Sequence, residues 1–136
     1  MPRTLTVFAE TFPLHAPFRI SRGVKTTAEV VTVTIGQGGM TGRGEGVPYP
    51  RYGESIDSAI AAIEAMRGAL EQGLGRQDLL QCMPASAARN AIDCALWDLE
   101  LKLAGSDFAS ALDLGRPLRP IVTAMTISLD TADNMA

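Results

Sequence analysis

The side chains whose types could do chemistry are few in these 136 residues, and they are scattered. Cys82 and Cys94 form neither a C-x-x-C pair nor a His/Cys spacing, so zinc is not indicated, and two cysteines exclude a disulfide framework. They read as reduced, partly buried thiols. His15, the single histidine, lies between Pro13 and Pro17 with no evident partner, and it reads as structural or exposed rather than as a base. Lys25 and Lys102, the only lysines, are far apart. Glu45 and Asp93 invite a metal site, but the plainer expectation puts Asp93 on a helix surface or in a hydrogen bond to a neighbouring domain and has Glu45 brace the loop below it. Gly42, Gly44 and Gly46 do not fit G-x-G-x-x-G, because Val47 interrupts it. On one face of a strand they predict close approach by a packed helix, not a phosphate cradle. No complete catalytic constellation is present.

Antiparallel strands and then helices must position these residues. Thr4–Glu10 alternates Thr4, Thr6 and Phe8 against Leu5, Val7 and Ala9, a strand period of two. Pro13 and Pro17 break the chain. Ala28–Ile35 resumes the pattern, with Val31, Val33 and Ile35 on one face and Thr32 and Thr34 on the other. Gly36-Gln37-Gly38-Gly39 is a hairpin turn into a third strand, Met40–Gly46. Ser55 then caps a helix whose apolar stripe is Ile56, Ala59, Ile60, Ile63, Met66 and Leu70, with Asp57, Glu64, Arg67 and Glu71 towards solvent and a stop near Gly73. A helical turn around Asp78–Gln81 precedes Pro84. Ser86 caps the longest helix, Ala87–Ala104, closed by Gly105. Ala91, Ala95, Leu99 and Leu103, widened by Ile92 and Leu96, form its stripe. A short helix over Asp107–Leu114 follows. Trp97 and the methionines read as core. The fold class is α+β, a three-stranded meander followed by a helical bundle.

Twelve basic against fifteen acidic side chains give a net charge of −3. That argues against nucleic acid, which requires a basic face. No apolar run approaches a membrane span of about 20 residues. The composition, 46% apolar and 20% charged, fits a soluble, cytoplasmic domain. The last segment differs: Ile121–Leu129 predicts a further strand after Pro117 and Pro120, and Asp130 or Thr131 an N-cap for a helix cut short at Ala136. Such half of a βα unit cannot bury its apolar side alone, so a βα-repeat domain is expected to follow.

Several strings resemble a known family. Pro13-Leu14-His15-Ala16-Pro17-Phe18, Ser21-Arg22-Gly23 and Pro48-Tyr49-Pro50-Arg51-Tyr52-Gly53-Glu54-Ser55 look like the N-terminal cap of the enolase superfamily. The helix string Ala87-Ala88-Arg89-Asn90-Ala91-Ile92-Asp93-Cys94-Ala95-Leu96-Trp97-Asp98-Leu99 matches the same group. With Thr123-x-x-Thr126, the second loop string narrows the resemblance to the bacterial L-Ala-D/L-Glu dipeptide epimerases of the muconate-lactonizing branch. The resemblance implies a capping domain over residues 1–118 and, over 119–136, the first strand and helix start of a truncated (β/α)8 barrel.

It also implies an activity, a 1,1-proton transfer at the glutamyl α-carbon through an enediolate stabilised by Mg²⁺. Two lysines on opposite faces move the proton, and acidic residues at barrel strand ends hold the metal. Neither set matches residues of this segment, which is therefore expected to be inactive alone, with no catalytic or metal-binding residue of its own. A barrel of about 250 residues would supply them, and any homo-oligomer contacts. The cap's expected part is specificity through two loops, Phe18–Lys25 and Tyr49–Glu54. A dipeptide ending in glutamate has a spare carboxylate that an arginine fork suits. Arg22 is the first candidate, then Arg19 and Arg51, although an arginine beside glycines is ordinarily a solvated charge and Arg19 or Arg51 can instead pair with Glu54. Thr126 matches a substrate-contacting position on the first barrel strand, with Ala124 and Ser128 on the same face. Tyr49 and Tyr52 read first as packing on the cap, and Tyr52 is retained as a substrate-binding candidate. The alternatives are an epimerase of other dipeptides, an N-acyl amino acid racemase, an o-succinylbenzoate synthase, or a stand-alone α+β binding module without chemistry.

Overall fold

Strands β1 (Thr4–Ile20) and β2 (Gly23–Gln37) form one long antiparallel ribbon in the computed structural model, which describes residues 2–21, 23–115 and 118–135. Leu5 faces Ile35, Val7 faces Val33 and Ala9 faces Val31. Strand β3 (Met40–Gly46) returns along β2 through Gly38 and Gly39, at φ 60° and 81°. Those left-handed values are what a two-residue hairpin turn requires. The sheet order is β1-β2-β3, the expected meander.

Strand β1 does not stop at Glu10, and β2 starts before Ala28. Pro13 and Pro17 interrupt the pairing without ending it, because the register slips between Pro13 and Phe18 and resumes with Phe18 opposite Lys25. An edge strand tolerates prolines there, since their missing N–H groups break no interior ladder.

Helices α1 (Ile56–Ala65), α2 (Arg67–Glu71), α3 (Arg76–Cys82) and α4 (Ala87–Ala104) cover one sheet face, and α5 (Phe108–Ala111) and α6 (Ala132–Met135) are single turns. Ser55 and Ser86 cap α1 and α4 as expected, accepting from the amides of Ser58 and Arg89. The single helix expected from Ile56 to Leu70 is divided at Met66, so that Arg67 donates to the Leu5 carbonyl at 2.7 Å and Leu70 remains fully buried.

Val31, Val33, Ile35, Ile63, Leu70, Leu79, Ile92, Leu96 and Leu99 form the core without solvent exposure. Each contributes on the order of 1.5–3 kcal/mol by leaving water. Helix α4 lies directly on the glycine face of β3. A Cβ at Gly42 would stand 2.5 Å from the Leu99 amide nitrogen, and one at Gly44 would stand 2.6 Å from that of Ala95. The glycines therefore serve the close helix approach that their spacing predicts.

Three side chains of α4 cover the open edge of β3. Asp98 accepts from the Arg43 amide at 2.9 Å, Lys102 donates to the Thr41 carbonyl at 2.8 Å, and Asn90 donates to the Glu45 carbonyl at 3.0 Å. Such pairing of an edge strand's free groups removes a template for aggregation.

Other expectations fail. Leu103 is exposed and lies outside the core, and both cysteines are more exposed than expected, with Cys94 only partly screened from solvent. Trp97 is half-buried, beneath the Arg76 guanidinium at 3.4 Å and beside Phe108 at 5.5 Å. Ile121–Leu129 forms no strand, and Ile121, Val122 and Met125 are almost fully exposed. A strand needs a ladder of partners, and among the described residues this segment is hydrogen-bonded to the sheet only at its end, where Ser128 and the Leu129 amide meet Pro17 and Arg19 of β1.

Candidate functional site

Three segments far apart in sequence meet at the projecting end of the β1–β2 ribbon. The first expected loop, Phe18–Lys25, is the ribbon's tip, with Phe18, Arg19 and Ile20 paired to Lys25, Val24 and Gly23. The second, Tyr49–Glu54, contains a 3-10 turn over Pro50–Tyr52 that closes at Gly53, whose amide donates to the Pro50 carbonyl at 3.0 Å. The third is the segment before α6. There the Ser128 hydroxyl accepts from the Arg19 amide at 2.8 Å and donates to the Pro17 carbonyl at 3.3 Å.

The second loop is anchored to the core by Glu54. One carboxylate oxygen accepts from the Ala87 amide at 2.7 Å, at the first turn of α4, and the other from the Tyr49 amide at 3.3 Å. A carboxylate suits a helix N-terminus, where unpaired amides and the helix dipole favour negative charge. Glu54 thus pairs with backbone, and among the described residues no ion pair joins it to Arg19 or Arg51. The two loops meet where the Lys25 ammonium lies over the Tyr49 ring, 5.4 Å from its centroid. Tyr52 stacks obliquely on Tyr49 at 5.9 Å and is three-quarters exposed.

The predicted site residues divide accordingly. Arg19, Arg51, Tyr52 and Thr126 are all exposed. Arg19 and Tyr52 lie within the cluster, and Arg51 is in the 3-10 turn beside Tyr52. Arg22 lies outside the described residues. Thr126 belongs to the irregular segment and not to a strand. Asp130 was not anticipated as part of this group. The Thr131 amide, at 2.7 Å, holds its carboxyl below the usual carboxylate range, with added help from the Asn134 side chain and the Arg19 charge. Sequence reasoning also missed Lys25 and the bracing role of Glu54.

Chemically, the cluster offers cations and aromatic faces to an anionic or amphipathic ligand. Its residues do not make up a metal site. Among the described residues no three His, Cys, Asp or Glu side chains gather, and the carboxylates of Glu10 and Glu45 are taken up by Arg43 at 2.7 and 3.0 Å. Glu45 therefore serves the outer sheet face and does not brace the loop below it. Thr32 donates to the same Glu10 carboxylate, which accounts for a buried threonine on that face. Lys102 is paired with Asp98 at 2.7 Å. Burial raises the Asp98 pKa, but Lys102 and the Arg43 amide together outweigh it and hold the group below its ordinary value. Burial, aided by the charge of Asp93, pushes the Cys94 thiol up, away from the reactive thiolate.

Residues 2–115 match the N-terminal domain of mandelate racemase and muconate lactonizing enzyme. The chain belongs to that family. Within it, the sequence is 46% identical over 134 residues to L-Ala-D/L-Glu epimerase of Escherichia coli, covering 98% of this chain and 41% of that one. An enolase family member from Agrobacterium tumefaciens, with homology to dipeptide epimerases and with bound sodium and L-Ala-L-Glu, superposes with a TM-score of 0.91 at 54% identity, covering 98% of this chain and 41% of its own. A dipeptide epimerase from Cytophaga hutchinsonii, complexed with Mg and D-Ala-L-Val, gives a TM-score of 0.80 at 28% identity over 99% and 39%. The structural neighbours are thus dipeptide epimerases of the enolase superfamily, and the three-stranded sheet with its helices is their N-terminal cap. The chain spans about two fifths of the length of these relatives.

Proposed function

We propose that these residues are the specificity cap of a Mg²⁺-dependent dipeptide epimerase acting on L-Ala-D/L-Glu in cytoplasmic peptidoglycan turnover. Residues 1–118 form the cap and 119–136 begin the barrel. The single observation that carries this reading is 46% identity to the Escherichia coli epimerase along 98% of the chain. The exposed cations of the ribbon tip and second loop add physical support, since the γ-carboxylate of a glutamyl dipeptide is the group they would complement. In this reading the segment itself performs no proton transfer. The metal would stabilise the enediolate from outside these residues, while the cap excludes water and holds the remote end of the substrate. Arg22 is the proposed partner of the γ-carboxylate, with Arg19, Arg51, Tyr52 and Thr126 as further substrate contacts.

The test is deuterium incorporation at the glutamyl α-carbon of L-Ala-L-Glu by the full-length protein with Mg²⁺, followed by NMR. Exchange is expected, and Arg22→Ala should raise KM for acidic dipeptides about tenfold or more while sparing a neutral dipeptide. No exchange with any Ala-Glu diastereomer would overturn the substrate assignment, and an unchanged KM would remove Arg22 from its role.

A further inference from the structure

The contact between Lys25 and Tyr49 joins two loops that are otherwise built on different elements. Lys25 lies near the start of β2, paired opposite Phe18. Tyr49 belongs to the second loop, and its amide is held by Glu54, which in turn accepts from the first turn of α4. The ammonium is 5.4 Å from the ring centroid, within the reach of a cation–π attraction. Lys25 itself is exposed, so the contact is not imposed by packing around it.

We propose that Lys25 and Tyr49 form a clasp that makes the ribbon tip and the second loop move as one unit. Both are positioning residues. The anchored partner is Tyr49, because Glu54 ties it to the longest helix of the fold, and its counterpart is the projecting ribbon end, whose register is irregular between Pro13 and Phe18. The loops would then present Arg19 and Tyr52 to a ligand in a fixed mutual geometry, at a smaller ordering cost than two independent loops. The clasp follows from the geometry alone. Only the identity of the ligand, an acidic dipeptide, rests on the epimerase reading.

Hydrogen–deuterium exchange of the full-length protein tests it. An exposed cation–π contact shifts an equilibrium roughly two- to fivefold, so Lys25→Ala should speed exchange of the amides of residues 18–25 by that factor and leave α4 unchanged. Tyr49→Leu should reproduce the effect, Lys25→Arg and Tyr49→Phe should preserve slow exchange, and the double variant K25A/Y49L should exchange no faster than either single one. Unchanged exchange in K25A, or additive effects in the double variant, would overturn the clasp. With L-Ala-L-Glu as the probe, K25A should raise KM two- to fivefold at constant kcat, and an unchanged KM would overturn the positioning role. Absence of turnover by the unsubstituted protein is a different result and speaks against the epimerase reading alone.

Discussion

Replacing Gly44 by alanine sets two effects of known sign against each other. Alanine removes chain entropy from the unfolded state and is favoured over glycine in a strand by about 0.5–1 kcal/mol. Against that, the new methyl would lie 2.6 Å from the Ala95 amide nitrogen and 2.9 Å from the Cys94 Cβ, and closer still to the Ala91 carbonyl oxygen. Two of these three atoms are helix backbone, so no rotamer change relieves the clash and α4 must move outward by roughly 1 Å. Leu96 and Leu99, fully buried on that helix, would lose contacts with Ile35 and its neighbours. Overpacking of this kind costs about 1–3 kcal/mol, occasionally more. The net expectation for Gly44→Ala is destabilisation of about 1–2 kcal/mol, a fall in Tm of roughly 3–10 °C for a chain of this size. Gly68 in α2 is the internal control, because nothing lies within 4 Å of a Cβ there. Gly68→Ala should stabilise by about 0.5–1 kcal/mol. Urea and thermal unfolding of both variants measure the difference. A Gly44→Ala protein as stable as the parent would refute the reasoning, because the helix would then be free to yield.

Two further outcomes follow from the polar contacts. Glu54→Ala leaves the Ala87 and Tyr49 amides unpaired and should cost about 1–2 kcal/mol, with faster proteolysis within Tyr49–Gly53, and intact stability would show that the bond to α4 contributes nothing. Asp98 has a lowered folded pKa, so its stabilisation is present above the unfolded value of about 3.9 and is lost as pH falls through the folded value. Asp98→Asn should accordingly be less stable than the parent at pH 7, and the gap should close as pH falls through the lowered folded value, as read from denaturation midpoints measured down the acid range.

Local signals carried most of the fold. Alternation at Val31, Val33 and Ile35 identified the buried sheet face, the serines at 55 and 86 marked two helix starts, and three alternate glycines announced the helix lying on them. Periodicity could not show the interruption at Met66, because the 3.6-residue stripe runs through α1 and α2 alike, and a contact with the Leu5 carbonyl places the break. It could not show Thr32 buried either, since the cover comes from Glu10 on the neighbouring strand. The apolar pattern of Ile121–Leu129 reads the same whether or not partners are present, so a strand expected there remained an irregular arm. In the site, the loop segments were visible as strings, but Glu54 and its helix amide are 33 positions apart. Only the tertiary structure brings such a pair together.

Helix α4 links these observations. Its small residues sit on β3, its polar stripe at Asn90, Asp98 and Lys102 closes the sheet edge, and its first amide receives the carboxylate that holds the second loop. Strand β2 runs from the same core out to Lys25 at the ribbon tip. The loops are therefore carried by elements whose positions are set deep in the fold, while Arg19, Arg51 and Tyr52 stand exposed at the ends. Substitutions at exposed positions without buried partners usually change stability by no more than about 0.5 kcal/mol, whereas those in the core or at the glycine face cost several times more. That separation lets the outward side chains vary with the ligand at little cost to folding. It also locates the exceptions. Lys25, Tyr49 and Glu54 belong to the loops by sequence but to the scaffold by contact, and changes there should alter the geometry presented to a ligand without touching any group that meets it.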